Sequence, residues 1–568
     1  MPENQLIYGD NLDVLPRYVT DESVDLVYLD PPFNSNADYN VLFAEQDGSR
    51  AAAQIKAFGD TWRWDAVAAR TYNEFVTTGP NRASQAMQAF RKLLGENDML
   101  AYLAMMAPRL VELRRVLNPT GSIYLHCDPT ASHYLKLLLD AIFGPENFRN
   151  EIIWKRHNAR SSEQRWPRVH DVLLFYSKAR PIFRPEIVAG DKDKLPHTLI
   201  TGPDGEKYQT YELTGAGPRT GETGQPWRGF DPNAMGRHWG NLPSRMDGWD
   251  AAGLIHWPKG GGFPRRRSKE SFDAARKVAV GDVWTDIDRI NQSAKERLGY
   301  PTQKPEALLD RIVLASSREG DTILDPFCGC GTAVTVAQRL GRRWIGIDVT
   351  HLAISLIKTR LADAFGDAIA RTYKVIGEPV DLSGAWALAE LDRYQFQYWA
   401  LGLVGARPTP ADQKKGADQG IDGRLYFHDD AESGKTKQVL FSVKSGKADV
   451  THLRDLRGVI DREGAEIGAL ITLQEPTGPM RVEAASAGFY ASPWGTNHPR
   501  LQIRTVAEML GGQRIDMPPS RDLRTFKKAP KARGKGKAER PDYSILPFMG
   551  LQDDPTAAPS AGETGATS

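Results

Sequence analysis

Apolar positions in this 568-residue chain fall into short β-branched runs that alternate with stretches at helical spacing. Val24 to Leu29 reads VDLVYL and is stopped by two prolines, which predicts a buried strand ending at Asp30. Leu100 to Leu117 carries apolar residues at helical spacing until Asn118-Pro119-Thr120-Gly121 breaks it, and the strand SIYLHCD and helix SHYLKLLLDAIFG follow. The strand DVLLFYS, Asp171 to Ser177, resumes the alternation. That succession predicts βα units in a parallel sheet with helices on both faces. From Lys178 to Asp282 the pattern gives way to Gly, Pro, Trp and charge, as expected of a loop-rich insert. The α/β alternation returns with TILD at Thr322 to Asp325, a helix at Ala333 to Leu340, WIGID at Trp344 to Asp348 and a helix through Leu361. One sheet is therefore expected to draw on both ends of the first 375 residues.

Length changes the picture, because 568 residues exceed what one core usually organises. A region from Asp381 to Met517 has its own helix, LAELDRYQFQYWALGLVG, and strands at GIDGRLYF, QVLFSVKSG and IGALITL, enough for a second, smaller α/β domain. The expected division is 1–177 and 283–375 for the first domain, 178–282 for the insert, 381–517 for the second domain and 518–568 for a disordered basic tail. Net charge is only +2, but Lys259 to Lys269 reads KGGGFPRRRSK and Arg521 to Arg540 holds nine basic residues, which fits a polyanion partner. Three cysteines, Cys127, Cys328 and Cys330, are too few for a disulfide framework and none sits in a zinc-spaced cluster. No apolar run approaches the roughly 18 residues of a membrane span, and MPENQLIYGD lacks a signal-peptide layout, so a cytoplasmic location is expected.

Chemistry concentrates at two strand ends. Asp325-Pro326-Phe327-Cys328-Gly329-Cys330-Gly331-Thr332 places a glycine turn between a strand and a helix opening near Thr332, where backbone amides and the helix dipole gather. Gly329 and Gly331 let the backbone approach a ligand closely. Asp348 ends the next strand, where it can accept hydrogen bonds from both ribose hydroxyls of a nucleoside. Asp30-Pro31-Pro32-Phe33 ends the earlier strand. An exocyclic base amine is a poor nucleophile because its lone pair is delocalised into the ring. Asp30 and the carbonyl of Pro31 could accept its two hydrogens and localise that pair, with Pro32 stiffening the turn and Phe33 stacking on a base flipped out of a duplex.

These motifs resemble the amino-directed DNA methyltransferases that use S-adenosylmethionine, in the permuted β-class order. DPPFNSNADYN matches the catalytic motif, DPFCGCGT the cofactor motif, Tyr300-Pro301-Thr302-Gln303-Lys304-Pro305 the segment upstream of it, and Tyr8-Gly9-Asp10-Asn11 the family's N-terminal element. The resemblance covers residues 4 to 365 and implies a Rossmann-like methyltransferase sheet. It also implies that Asp10, Gln303 and Pro305 lie at the cofactor, that Lys304 meets its carboxylate, that Asp325, Pro326 and Phe327 line its pocket, and that Asp348 holds the ribose. The implied partner is double-stranded DNA, bound by a homodimer as relatives often are. An Asp-Pro-Pro start favours adenine over cytosine N4. A cytosine carbon-5 mechanism would need a Pro-Cys pair, which the chain lacks. His157, Arg160, Arg168, Arg265, Arg266 and Arg267 are the expected DNA-facing groups. Trp154, Trp239 and Trp257 are candidates either for stacking on bases or for core. Methyltransferases of RNA or of protein glutamine are the competing reading, though they usually begin the turn with Asn and need no long basic insert.

Lys415 to Gly423 (KGADQGIDG) with Phe441 to Gly446 (FSVKSG) resembles the Mrr-like restriction endonucleases, which implies that Asp422 binds Mg2+ and Lys444 assists the attacking water. Ser442 stands where relatives carry an acidic residue or Gln, and Gln395 and Gln397 where relatives often carry Glu. A nuclease, a DNA-binding module and a structural appendage therefore all remain open, as does a protein in which DNA binding or cleavage is primary and methylation secondary. The combined expectation is an enzyme of restriction-modification or host defence.

Overall fold

In the computed structural model the described residues are 4–32, 63–158, 166–184, 187–189, 200–201, 207–208, 210–267, 277–291, 294, 296–298, 300, 302–409, 420–429 and 436–519. Phe33, Arg160 and residues 520–568 of the expected tail lie outside them.

Nine strands make one sheet: β1 (Asn4–Tyr8), β2 (Val24–Leu29), β3 (Leu117–Cys127), β4 (Phe148–Lys155), β5 (His170–Ser177), β6 (Val283–Trp284), β7 (Thr322–Asp325), β8 (Arg343–Asp348) and β9 (Tyr373–Ile376). Their spatial order is β6-β4-β5-β3-β2-β7-β8-β1-β9. β2 comes from near the start of the chain and β7 from nearly 300 residues later, yet they are neighbours, with Ile323 opposite Leu26 and Leu324 opposite Val27. The side chain of Asp25 reinforces that join by accepting from the Thr322 amide at 2.7 Å. β1 in turn lies between β8 and β9.

One part of the sequence expectation needs correcting. The sheet is mixed, because β5 runs antiparallel to both β3 and β4. Apolar alternation reports which face a strand buries and carries no information about its direction, so DVLLFYS read as one more parallel strand.

Each central strand is buried on both faces, as its nearly continuous apolar sequence requires. Leu26, Val27 and Leu29 are fully buried, each contributing about 1.5–3 kcal/mol by leaving water. One face packs under helices α1 (Asn11–Tyr18), α2 (Asp98–Val116) and α3 (Ser132–Phe143), the other under α4 (Glu306–Ser316), α5 (Thr332–Arg339) and α6 (His351–Phe365).

The insert is richer in structure than its composition suggests. Strands of two or three residues and the helix Pro243–Ala251 surround a core of Leu213, Trp227, Trp239, Met246, Trp249 and Ile255. Strands that short cannot display an alternation, which is why the segment reads as loop. Trp154 and Trp239 are core, whereas Trp257 is 39% exposed and stacks on Trp227 at 5.6 Å.

The C-terminal domain is a separate five-stranded sheet in sequential order: β10 (Arg407–Pro408), β11 (Gly423–Phe427), β12 (Lys437–Lys444), β13 (Ile467–Thr472) and β14 (Leu501–Thr505). Helix α7 (Arg393–Leu403) covers one face and α8 (Val450–Glu463) the other. No helix among the described residues is long and apolar enough to cross a membrane.

Candidate active site

The pairing of β2, β7 and β8 brings three carboxyl groups to one edge of the sheet. Asp30 follows β2, Asp325 ends β7 and Asp348 ends β8, and all three line a cleft at the carboxyl ends of these parallel strands, the usual place for ligands in open α/β sheets. Its remaining wall includes Tyr28, Pro31, Pro32, Tyr300, Thr302, Lys304, Phe327, Gly329 and Thr332. The two motifs set far apart in the sequence are thus one site.

Hydrogen bonds fix the glycine turn from behind. Asp348 Oδ2 accepts from the Gly329 amide at 2.8 Å, and its Oδ1 accepts from the Thr350 amide at 3.0 Å and hydroxyl at 2.8 Å. Asp325 Oδ1 accepts from the Phe327 amide at 3.2 Å, and Asn11 donates to the Pro326 carbonyl at 2.8 Å. Gly331 caps α5 in the left-handed region (φ 73°), and a Cβ there would stand 2.7 Å from Ile357. Below the turn the buried Arg360 guanidinium donates to the Cys330 carbonyl at 3.0 Å and Thr332 Oγ1 at 3.1 Å, and pairs with Glu306 at 2.9 Å.

Burial governs the electrostatics. It pushes the Asp348 carboxyl up to about 6 despite the donors it holds. Burial also lifts Asp325 well above the ordinary carboxylate range, and the charges of Asp30 and Asp348 add to this. Lys304 forms an ion pair with Asp30 Oδ2, both side chains largely withdrawn from water. Asp30 Oδ1 is buried and accepts no hydrogen bond among the described residues.

Of the other expected cofactor residues, Gln303 builds the loop, accepting from the Leu298 amide at 2.8 Å and donating to the Glu296 carbonyl at 2.6 Å, and Pro305 stands at the start of α4. Asp10 does not line the cleft. Its carboxylate caps α1 and takes Arg109 at 2.6 and 2.8 Å.

A polar chain that the motifs did not reveal runs inward from the cleft. Tyr28 Oη lies 3.0 Å from His126 Nδ1, His126 Nε2 lies 3.1 Å from Asp171 Oδ2, and Arg156 Nε stands 3.1 Å from Asp171 Oδ1. Burial, then the charges of Asp30, Asp325 and Asp171, push the Tyr28 hydroxyl well up. Burial pushes Asp171 up too, but the hydrogen bond from His126, the attraction of that side chain and the charges of Arg156 and Lys304 outweigh it, so its carboxyl stays below the ordinary value. The signal for this chain was a histidine inside the otherwise apolar strand SIYLHCD.

The expected DNA-facing residues are spread over two elements. Arg168 is exposed and donates to Thr130 at 3.1 Å, and His157 lies half-buried near it in sequence. Arg266 lies over Trp249 at 4.1 Å and Arg267 over Tyr208 at 3.8 Å, while Arg265 shares their strand.

In the C-terminal domain, Asp422 and Lys444 share a cleft with Arg393, Tyr394, Gln397 and Lys447. Asp422 Oδ1 accepts from Gln397 at 3.0 Å, and Oδ2 accepts from the Val443 amide at 2.7 Å and Ser442 Oγ at 3.3 Å. Both oxygens are therefore held by protein donors. Among the described residues no group of three His, Cys, Asp or Glu side chains could hold a metal ion. Among the described residues Asp422 is the single carboxylate lining this cleft, a donor set that does not fit the Mg2+ site that the resemblance implies.

A family model described as DNA methylase matches residues 24–359, and one described as restriction endonuclease matches residues 388–489. The chain is 35% identical to the type II methyltransferase M.EcaI of Enterobacter cloacae, over 63% of this chain and 69% of that protein. It is 25% identical to the StyLTI Mod subunit, a type III restriction-modification enzyme of Salmonella typhimurium, over 59% of this chain and 50% of that one. A shorter match of 48% identity joins it to the DNA adenine methyltransferase YhdJ of Escherichia coli, over 14% of this chain and 27% of that protein.

Proposed function

The chain belongs to the DNA methylase family and carries a restriction-endonuclease-like domain, and on that premise we propose that it methylates the exocyclic amino group of adenine in double-stranded DNA, with S-adenosylmethionine as donor. The observation that carries this reading is the meeting of Asp30 with Asp325 and Asp348 in one cleft. When bound, S-adenosylmethionine supplies a methyl group on a positively charged sulfur.

The cleft fits such a ligand. Three carboxyl groups face one ammonium, which suits a cation. Gly329, at φ 47°, leaves open the space that a Cβ would fill 3.3 Å from the Tyr300 ring. Asp348 would hold the ribose hydroxyls. Asp30 Oδ1 would accept one hydrogen of the target amine while Lys304 holds Oδ2, and the Pro31 carbonyl would accept the other. A paired base cannot reach a cleft at the sheet edge, so the nucleotide must be flipped out, with Tyr28, Tyr300 and Phe327 available as apolar walls. Adenine rather than cytosine is supported by the Asp-Pro-Pro turn and by the match to an adenine methyltransferase. A DNA substrate also supports a cytoplasmic place of work. The test is mass spectrometry of nucleosides from plasmid incubated with protein and donor. N6-methyladenine is expected, and N4-methylcytosine in its place would overturn the choice of base.

For the C-terminal domain, the cations that surround Asp422 favour a second role: gripping the DNA backbone. Arg393, Lys444 and Lys447 outnumber the single carboxylate, Asp422, among the described residues that line this cleft. Lys444→Ala should weaken DNA binding by about 3- to 10-fold and reduce the salt dependence of affinity by about one ion. Methylation at saturating DNA should be unchanged. Unmodified plasmid should stay supercoiled in magnesium, and linear product that depends on Lys444 would restore the nuclease reading.

A further inference from the structure

We propose that Tyr28, His126 and Asp171 form a relay that serves methyl transfer, with Tyr28 taking the proton that the methylated amine must lose and passing its own on to His126. The proposal rests on the amino-methyltransferase reading above and assigns work to groups outside both motifs.

The three residues sit on adjacent strands β2, β3 and β5, at the end of the sheet that bears the cleft. Tyr28 lines the cleft, while His126 and Asp171 are 0% and 1% exposed. Their surroundings on that face are Trp154, Leu173 and Phe175. An apolar trio would pack there without the desolvation that a buried imidazole and carboxylate incur. Trp154 meets the His126 ring edge-on at 5.7 Å and limits its rotation.

The order of the contacts sets the direction of the hydrogen bonds. Asp171 holds an ionised carboxylate against Nε2, so Nε2 carries hydrogen and donates to it. With Nε2 so engaged, the relay has the Tyr28 hydroxyl donating to Nδ1 at 3.0 Å. The phenol oxygen is left with only lone pairs to offer the cleft. It is therefore open to take the proton that the amine releases once its nitrogen has bonded the methyl group.

Methylation leaves the amine nitrogen with a fourth bond and a positive charge until an N–H bond breaks. The bonding pair stays on nitrogen, and the proton passes to the Tyr28 oxygen. In the same movement the hydroxyl proton of Tyr28 passes to His126 Nδ1. The resulting imidazolium is held by the Asp171 carboxylate, itself flanked by the partly exposed Arg156. The proton returns through Tyr28 to water once product has left the cleft. Charge and atoms balance without a further reactant.

Tyr28→Phe removes one oxygen and is the deciding variant. Its single-turnover methylation rate should fall at least about 30-fold, within the range of general acid–base contributions, while the dissociation constants for S-adenosylmethionine and DNA stay within about twofold. His126→Asn should show the same split between rate and binding. A Tyr28→Phe rate within threefold of the unmodified protein would overturn the relay. If the unmodified protein itself transfers no methyl group to DNA in this assay, the methyltransferase reading falls and takes the relay with it.

Discussion

Asp30→Ala is expected to lower methyl transfer by at least about 10³-fold while S-adenosylmethionine still binds. Removing one preorganised group that acts on developing charge commonly costs 10²–10³ in rate, and here the lost group also localises the nucleophile's lone pair. Its Oδ1 is buried with no protein donor among the described residues, so the oxygen is held for something else. Cofactor affinity should survive because the glycine turn is secured by Asp348, Asn11 and Arg360 rather than by Asp30. Single-turnover transfer of labelled methyl, alongside calorimetric binding of the donor, reads both quantities. Transfer within tenfold of the unmodified protein would remove Asp30 from the reaction.

Asp348→Ala should act on the other half of the site and weaken S-adenosylmethionine binding by at least about 100-fold. Two hydrogen bonds to a charged acceptor at about 1.5–3 kcal/mol each set that scale. The variant should also be less stable, since the Gly329 and Thr350 amides lose their acceptor. A pH dependence follows from the same group. Burial raises the folded carboxyl to about 6, above the ordinary value near 3.9. The protonated form therefore contributes stability that is complete below about pH 4 and lost as pH rises through about 6. Ribose binding wants the opposite state, the ionised carboxylate. Donor affinity should accordingly be about tenfold weaker at pH 5 than at pH 7.5, and Asp348→Asn should flatten most of that slope. An equal slope in the variant would assign the titration elsewhere.

The sequence made the meeting of the two distant strand ends legible because each motif closes a buried apolar run, and parallel sheets gather such ends at one edge. The direction of β5 was not legible, since period-two burial looks the same either way along a strand. Lys304 shows a different limit. Resemblance assigns it to a cofactor carboxylate, whereas its position opposite Asp30 depends on how the loop before α4 folds over β2. Asp10 likewise reads as a cofactor neighbour, but its side chain is taken up by Arg109 from α2, a partner 99 residues away that no local pattern could nominate. His126 stands out in its apolar strand, but nothing local pairs it with Tyr28 or Asp171. Only the lateral register of three strands makes them a chain.

The place of β1 has a consequence for how this protein is made. Gln5 pairs on one side with Ile345 and on the other with Lys374, so β1 must wait on the ribosome for partners made more than 330 residues after it. At about 5–20 residues per second, that interval lasts tens of seconds. Throughout it both edges of β1 lack their eventual partners, a situation that invites pairing with other nascent chains and gives chaperones that shield early segments a specific task here.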